Sequence, residues 1–104
     1  MHGNSKNNSN LHHLYDIFKL VDRETFKYGI SDDPIDKEDG LSARAREQVE
    51  EMNLAAEYTK FGAEILIKDI PGRALALKIE RKNIDDFYEK NGRNPKGNKY
   101  PKRK

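Results

Sequence analysis

The chain contains no cysteine. That absence excludes a disulfide framework, a zinc ribbon and a thiol nucleophile. It also contains no apolar run approaching the roughly 20 residues that span a bilayer as a helix. Residues 1–10 (MHGNSKNNSN) lack the apolar core of a signal peptide. Residues 1–11 read instead as a flexible polar linker, of the kind that joins a domain to a longer chain. Apolar residues are scarce, at 35% against 37% charged in 104 residues. Such a chain builds one domain with a modest core. No internal repeat is present.

The net charge of +2 hides an asymmetry. After Tyr88 the chain carries Lys90, Arg93, Lys96, Lys99, Lys102, Arg103 and Lys104 against Glu89 alone. Acids gather earlier, at Asp32, Asp33, Asp36, Glu38 and Asp39, and again at Glu47, Glu50 and Glu51. A basic tail on a nearly neutral domain suits a polyanionic partner, and equally suits a solvated end.

Residues 14–21 are rich in β-branched and aromatic side chains and predict a strand. A polar turn at residues 22–25 leads to a second strand over 26–31, its hairpin partner. Gly29 inside that strand signals close approach of another backbone or a ligand, or a bulge. Residues 31–40 form an acidic loop marked by Pro34 and Gly40. Leu41, Ala45, Val49, Met52 and Ala56 recur at helical spacing, which places a first helix from Leu41 or Ser42. A third strand covers 61–70 and Pro71-Gly72 breaks the chain. A second helix follows and ends near Lys90 to Gly92, where glycine supplies the cap. The order β-β-α-β-α predicts an α+β domain, a small three-stranded sheet flanked by helices.

Glu80 stands out on the second helix. Ala76, Ile84 and Phe87 make its apolar stripe at about 100° per residue, and Glu80 lies midway along it. A carboxylate facing a core is costly unless a cation, a metal or hydrogen bonds meet it. A buried Arg–Glu pair and a metal site both satisfy that requirement.

Tyr15 on the first strand, Lys27, Tyr28 and Gly29 on the second, and Arg44 and Arg46 early on the first helix can converge on Glu80 in such a fold. These are the parts of phosphodiester cleavage. A carboxylate holds a divalent ion, an arginine fork clamps phosphate oxygens, and a phenol or imidazole orients the attacking water. Each residue also has a plainer role. Tyr15 can be packing, and the arginines can pair with Glu47 or Glu50. His12 and His13, next to the linker, are expected to be exposed.

In order and spacing these residues resemble the GIY-YIG, or URI, endonuclease superfamily, and in particular the URI-fold toxin domains of bacterial polymorphic toxins. His13-Leu14-Tyr15 is similar to the family's Gly-Ile-Tyr, keeping the tyrosine and losing the glycine. Lys27-Tyr28-Gly29, followed by Ser31, is similar to Tyr-Ile-Gly, with lysine at the tyrosine position. Tyr28 is the neighbouring candidate, although strand alternation turns it to the other sheet face. Arg44 with Gln48 fits the family's arginine and the position four residues on, and Arg46 is the reserve. Leu77, Glu80 and Ile84 fit the metal-binding glutamate helix. Asn98 stands for the asparagine that closes the motif set.

The resemblance implies a metal-dependent endonuclease toxin spanning residues 12–98, followed by a basic tail over 99–104. Glu80 would hold one Mg²⁺ or Mn²⁺, Tyr15 would position or activate water, and Arg44 would stabilise charge on the phosphate. Tyr28, Arg46 and Asn98 complete the catalytic candidates. His13, Lys27, Lys96 and Lys99 are the substrate-binding candidates. DNA is the first expectation, with RNA cleavage or a catalytically inactive binding module as alternatives. The toxin reading further implies delivery into the cytoplasm of competing bacteria and a cognate immunity protein that protects the producer. No sequence feature sets an oligomeric state.

Overall fold

The computed structural model describes residues 9–102. Five elements follow in the expected order: β1 (Leu11–Lys19), β2 (Thr25–Ser31), α1 (Ala43–Ala56), β3 (Phe61–Pro71) and α2 (Arg73–Asn91). The strands form one antiparallel sheet in the order β2-β1-β3. Residues 1–8 of the expected linker, together with Arg103 and Lys104 of the basic tail, lie outside the described residues.

Strand alternation splits the apolar residues of β1 between two faces. Tyr15 and Ile17 point to one side and cluster with Ala45 and Phe61, with Val49 and Met52 of α1 packed against them. Leu14 points to the other side and clusters with Ile70 and Ala76, with Ile79 of α2 against them. The sheet is therefore sandwiched between the two helices. Small residues at Ala45 and Ala76, both fully buried, let each helix approach the sheet closely.

β1 lies earlier than the sequence suggests. Leu20 and Val21 belong to the turn and are exposed. The turn closes through Lys19 N–H donating to Glu24 O (2.9 Å) and Arg23 N–H donating to Lys19 O (2.8 Å). Those backbone bonds outweigh the β propensity of two residues with no core to enter. In exchange His12 and His13 enter the strand and are buried, contrary to the exposure expected of them. His12 is held by a 2.7 Å hydrogen bond between its Nδ1 and Asn10 O.

α1 starts where Ser42 caps it, Oγ accepting from Ala45 N–H at 3.3 Å. α2 closes at Gly92, whose N–H donates to Tyr88 O at 2.7 Å, as expected from sequence.

One buried acid serves neither helix nor cleft. Asp16, on the α2 side of β1, is 8% exposed. Its Oδ2 accepts from Thr25 Oγ1 at 3.2 Å, while its Oδ1 is buried without a hydrogen bond among the described residues. Burial pushes its pKa up to about 6, with Thr25 opposing and the nearby Glu64 carboxylate adding to the rise. A carboxyl whose folded pKa exceeds its unfolded value destabilises the fold when ionised, and the penalty disappears as pH falls from about 6 toward 4. At neutral pH this amounts to on the order of 2 kcal/mol. Urea denaturation should therefore show wild type gaining stability between pH 7 and pH 4.5 relative to Asp16→Asn, with the variant the more stable of the two at pH 7. Parallel pH profiles for the two proteins would contradict this.

Candidate active-site cleft

Cross-strand register brings the first functional groups together. Tyr15 pairs with Gly29, and Ile17 pairs with Lys27. Tyr15, Lys27 and Gly29 thus share the α1 face of the sheet. The Tyr15 ring lies directly across Gly29. A Cβ added at Gly29 would meet Tyr15 Cε1 at 2.7 Å, and Cζ and Oη closer still. Glycine is needed here for close approach, but of the Tyr15 side chain rather than the backbone or ligand expected from sequence, and the β1–β2 irregularity lies elsewhere, at Ile17/Phe18.

Crossing Gly29 carries the Tyr15 hydroxyl to α1, where it meets the Gln48 amide at 2.7 Å. Arg44 and Gln48 are one turn apart and share a helix face. With its carbonyl turned into the cleft, Gln48 accepts from Arg44 Nη2 and Lys27 Nζ, each at 3.3 Å, and its NH₂ donates to Tyr15 Oη. This orientation satisfies every group in the cluster. Asp33, in the loop after β2, anchors the start of α1 by accepting from Arg44 N–H at 3.0 Å.

α2 closes the opposite wall. Arg73, Leu77 and Glu80 fall on one helical stripe and line the same cleft as Tyr15, Lys27, Arg44 and Gln48. Glu80 is half-buried and, among the described residues, has no hydrogen bond or ion pair. Burial raises its pKa, while Arg73 and Lys27 pull it down. Lys27 is lowered by burial and by Arg44, with Glu80 opposing. Tyr15 is raised by burial, against the influence of Arg44. The cations that answer the desolvated Glu80 are therefore Arg73 and Lys27 rather than an adjacent Arg44.

Of the residues singled out in sequence, Tyr15, Lys27, Arg44, Glu80 and Asn98 meet at this cleft. Tyr28 does not bring its phenol there. Its side chain joins the Leu14 cluster on the α2 face and senses Thr25, Asp16 and Asp86. Arg46 is occupied elsewhere. It pairs with Asp39 (2.6 Å) and Asp36 (3.4 Å) and stitches the acidic loop to α1. His13 faces a different hollow, where its Nδ1 accepts from Asp69 N–H at 3.2 Å. Lys96 and Lys99 are exposed outside the cleft. Asn98 borders the cleft, but its amide is committed to the backbone of Tyr28 (2.8 Å to N, 3.0 Å to O). Gln48 enters as the hub of the network, a role its sequence spacing alone does not disclose. Leu77, named in the glutamate-helix motif, is a wall residue, and so is Arg73, which sequence reasoning missed and whose place seven residues before Glu80 on one helical stripe is the signal that could have found it. Asp33 carries no local signal.

Among the described residues no three His, Asp or Glu side chains group as a metal-ligand set. Among the described residues Glu80 is the cleft carboxylate that accepts no hydrogen bond. Asp33 serves the helix start, and Asp32 accepts from Asn10 Nδ2 at 3.2 Å. A divalent ion there would rest on one protein carboxylate. Mg²⁺ tolerates that arrangement by keeping waters and substrate oxygens as its other ligands. Among the described residues no helix is long and apolar enough to cross a membrane.

A three-stranded antiparallel sheet in β-β-α-β-α order, with tyrosine, arginine and glutamate brought to one cleft from β1, α1 and α2, defines a URI-type domain. The chain belongs to the URI fold toxin 2 family (Tox-URI2), which it matches over residues 4–92. It is thus a toxin domain of the URI fold. No curated protein and no solved structure matches the chain.

The contact between Gly29 and Tyr15 is directly testable. Gly29→Ala should destabilise the domain by about 1–3 kcal/mol through overpacking. In a Tyr15→Ala background most of that penalty should vanish, since the obstructing ring is gone. Urea denaturation of the four proteins measures both, and an equal penalty in the two backgrounds would refute the close-approach argument.

Proposed function

We propose that this toxin domain is a metal-dependent endonuclease that hydrolyses DNA phosphodiester bonds, delivered by a bacterial polymorphic toxin into the cytoplasm of competing cells. The observation that carries this reading is Glu80. A half-buried carboxylate with no hydrogen bond or ion pair among the described residues is an expensive feature, and it faces a cleft lined by Lys27, Arg44 and Arg73. Structural ion pairs do not leave their carboxylate open in this way.

Arg44 presents a planar fork suited to two phosphate oxygens. Lys27 adds a point charge on the same side, and Gln48 orients both. At neutral pH the buried Tyr15 phenol is protonated. With Gln48 NH₂ donating to its oxygen, the phenol proton is free to point into the cleft and hold the attacking water or a phosphate oxygen. Arg44 beside the phenol eases its ionisation when that water must be deprotonated. Mg²⁺ or Mn²⁺ at Glu80 would neutralise phosphate charge and stabilise the leaving oxygen. A cognate immunity protein that covers the cleft would protect the producing cell.

A second reading has one observation in its favour. Lys27 stands where a second tyrosine is expected and Tyr28 faces away, which suits a nucleic-acid-binding module without cleavage.

Supercoiled plasmid and tRNA, each incubated with Mg²⁺ or EDTA beside Glu80→Ala, separate the readings. The expected result is plasmid nicking that requires metal and falls at least about 100-fold in the variant. The variant should keep or gain folding stability, because a desolvated carboxylate is removed. Cleavage of tRNA alone would move the substrate to RNA. Full activity in Glu80→Ala would reject the assignment of Glu80, and no cleavage of either substrate would favour the binding module.

A further inference from the structure

The matched family span ends at residue 92, yet the chain continues in an ordered way. From Arg93 it runs as a strap along the outer edge of β2. Pro95 is fully buried. Gly97 N–H donates to Phe26 O at 2.7 Å, and an added Cβ at Gly97 would lie 2.7 Å from Phe26 Cε2 and 2.8 Å from Lys27 Cβ. Asn98 clamps both backbone groups of Tyr28. Asn94 Nδ2 donates to Pro101 O at 2.7 Å and holds the next turn in place.

The strap's backbone is therefore fixed while its lysines point outward. Lys90, Arg93, Lys96, Lys99 and Lys102 recur at every third residue, and no acid follows Glu89. Arg93 is committed to Glu24. Lys96, Lys99 and Lys102 are exposed and have no ion pair among the described residues. Lys99 and Lys102 border a hollow with Tyr88, Gly92, Asn94 and Pro101. Asn98 borders the catalytic cleft and the next residue, Lys99, borders this hollow, so the two recesses meet at one peptide unit. Tyr100 is 68% exposed, with Lys102 Nζ 5.8 Å from its ring centroid. An exposed ring between lysines offers a base a stacking surface.

We infer that the strap is a second nucleic-acid-binding site. Lys99 and Lys102 hold a backbone phosphate next to the one in the cleft, and Tyr100 stacks on an unpaired base, so the domain engages its substrate as a single strand. This rests on nucleic acid being the ligand of the cleft, but it does not depend on cleavage. A preorganised backbone lowers the ordering cost that a free basic tail would incur.

The test is binding in EDTA, where metal-dependent cleavage is suppressed, with fluorescein-labelled single-stranded and duplex DNA at several salt concentrations. Replacing both lysines, Lys99→Ala with Lys102→Ala, should weaken single-strand binding and reduce the slope of log K against log salt by about 0.7, the contribution of one neutralised phosphate on a single strand. Tyr100→Ala should weaken single-strand binding roughly tenfold and duplex binding less. Thermal melts of these variants should match wild type, since all three side chains are exposed. Unchanged affinity and slope in the lysine variant would overturn the site, as would wild type binding neither DNA. Equal losses on single strand and duplex for Tyr100→Ala would overturn the single-strand assignment. Plasmid and tRNA both left uncut beside strap-dependent binding would reject the nuclease and retain this site.

Discussion

The Tyr15 ring lies across Gly29, and the geometry of the cleft depends on that contact. It fixes the register of β1 against β2, because a shift of one residue would place a side chain where only a hydrogen fits. It sends the phenol past the strand to Gln48, which couples sheet to helix. It also places Lys27, two residues earlier on β2, beside the same amide. One glycine thus serves the hairpin, the α1 interface and the cleft.

Desolvation supplies the second constraint. Tyr15, Lys27 and Glu80 are each shifted chiefly by burial, and each in the direction that disfavours its charged form. Opposite charges across the cleft partly offset this, with Lys27 and Arg73 acting on Glu80 and Arg44 acting on Tyr15. A phosphodiester with a divalent ion would relieve more of it, since the anion meets the cations and the metal meets the carboxylate. Unsatisfied electrostatics of this kind are a reason to expect a bound ligand rather than a structural ion pair. Arg46 shows the contrast. Its pairing with Asp39 and Asp36 is close and complete, and it holds a loop.

Element order, the Gly92 cap and both helical faces were legible because each depends on local pattern. The β1 boundary was not. Leu20 and Val21 have strand propensity, but backbone closure of the hairpin left them in the turn. His12 and His13, next to the polar linker, were expected to be exposed, yet pairing with β2 and β3 made that segment the central strand and buried both. For the site, the stripe argument located Glu80 and alternation turned Tyr28 away. The spacing of Arg44 to Gln48 favoured Arg44 over Arg46, and the packed sheet turns Arg44 to the cleft while Arg46, about 200° round the helix, pairs with the acidic loop.

The sequence by itself determined the β-β-α-β-α order, the absence of thiol chemistry, the anomalous carboxylate at Glu80 and the glycine at position 29. These follow from periodicity, composition and the scarcity of apolar residues, all of which act over a few neighbouring positions. Only the tertiary structure decided that Gln48 is the hub of the cleft, that Arg73 and Lys27 answer Glu80, and that residues 93–98 form a strap fixed on β2. Those facts depend on contacts between residues as far apart as Tyr28 and Asn98, which no local pattern encodes.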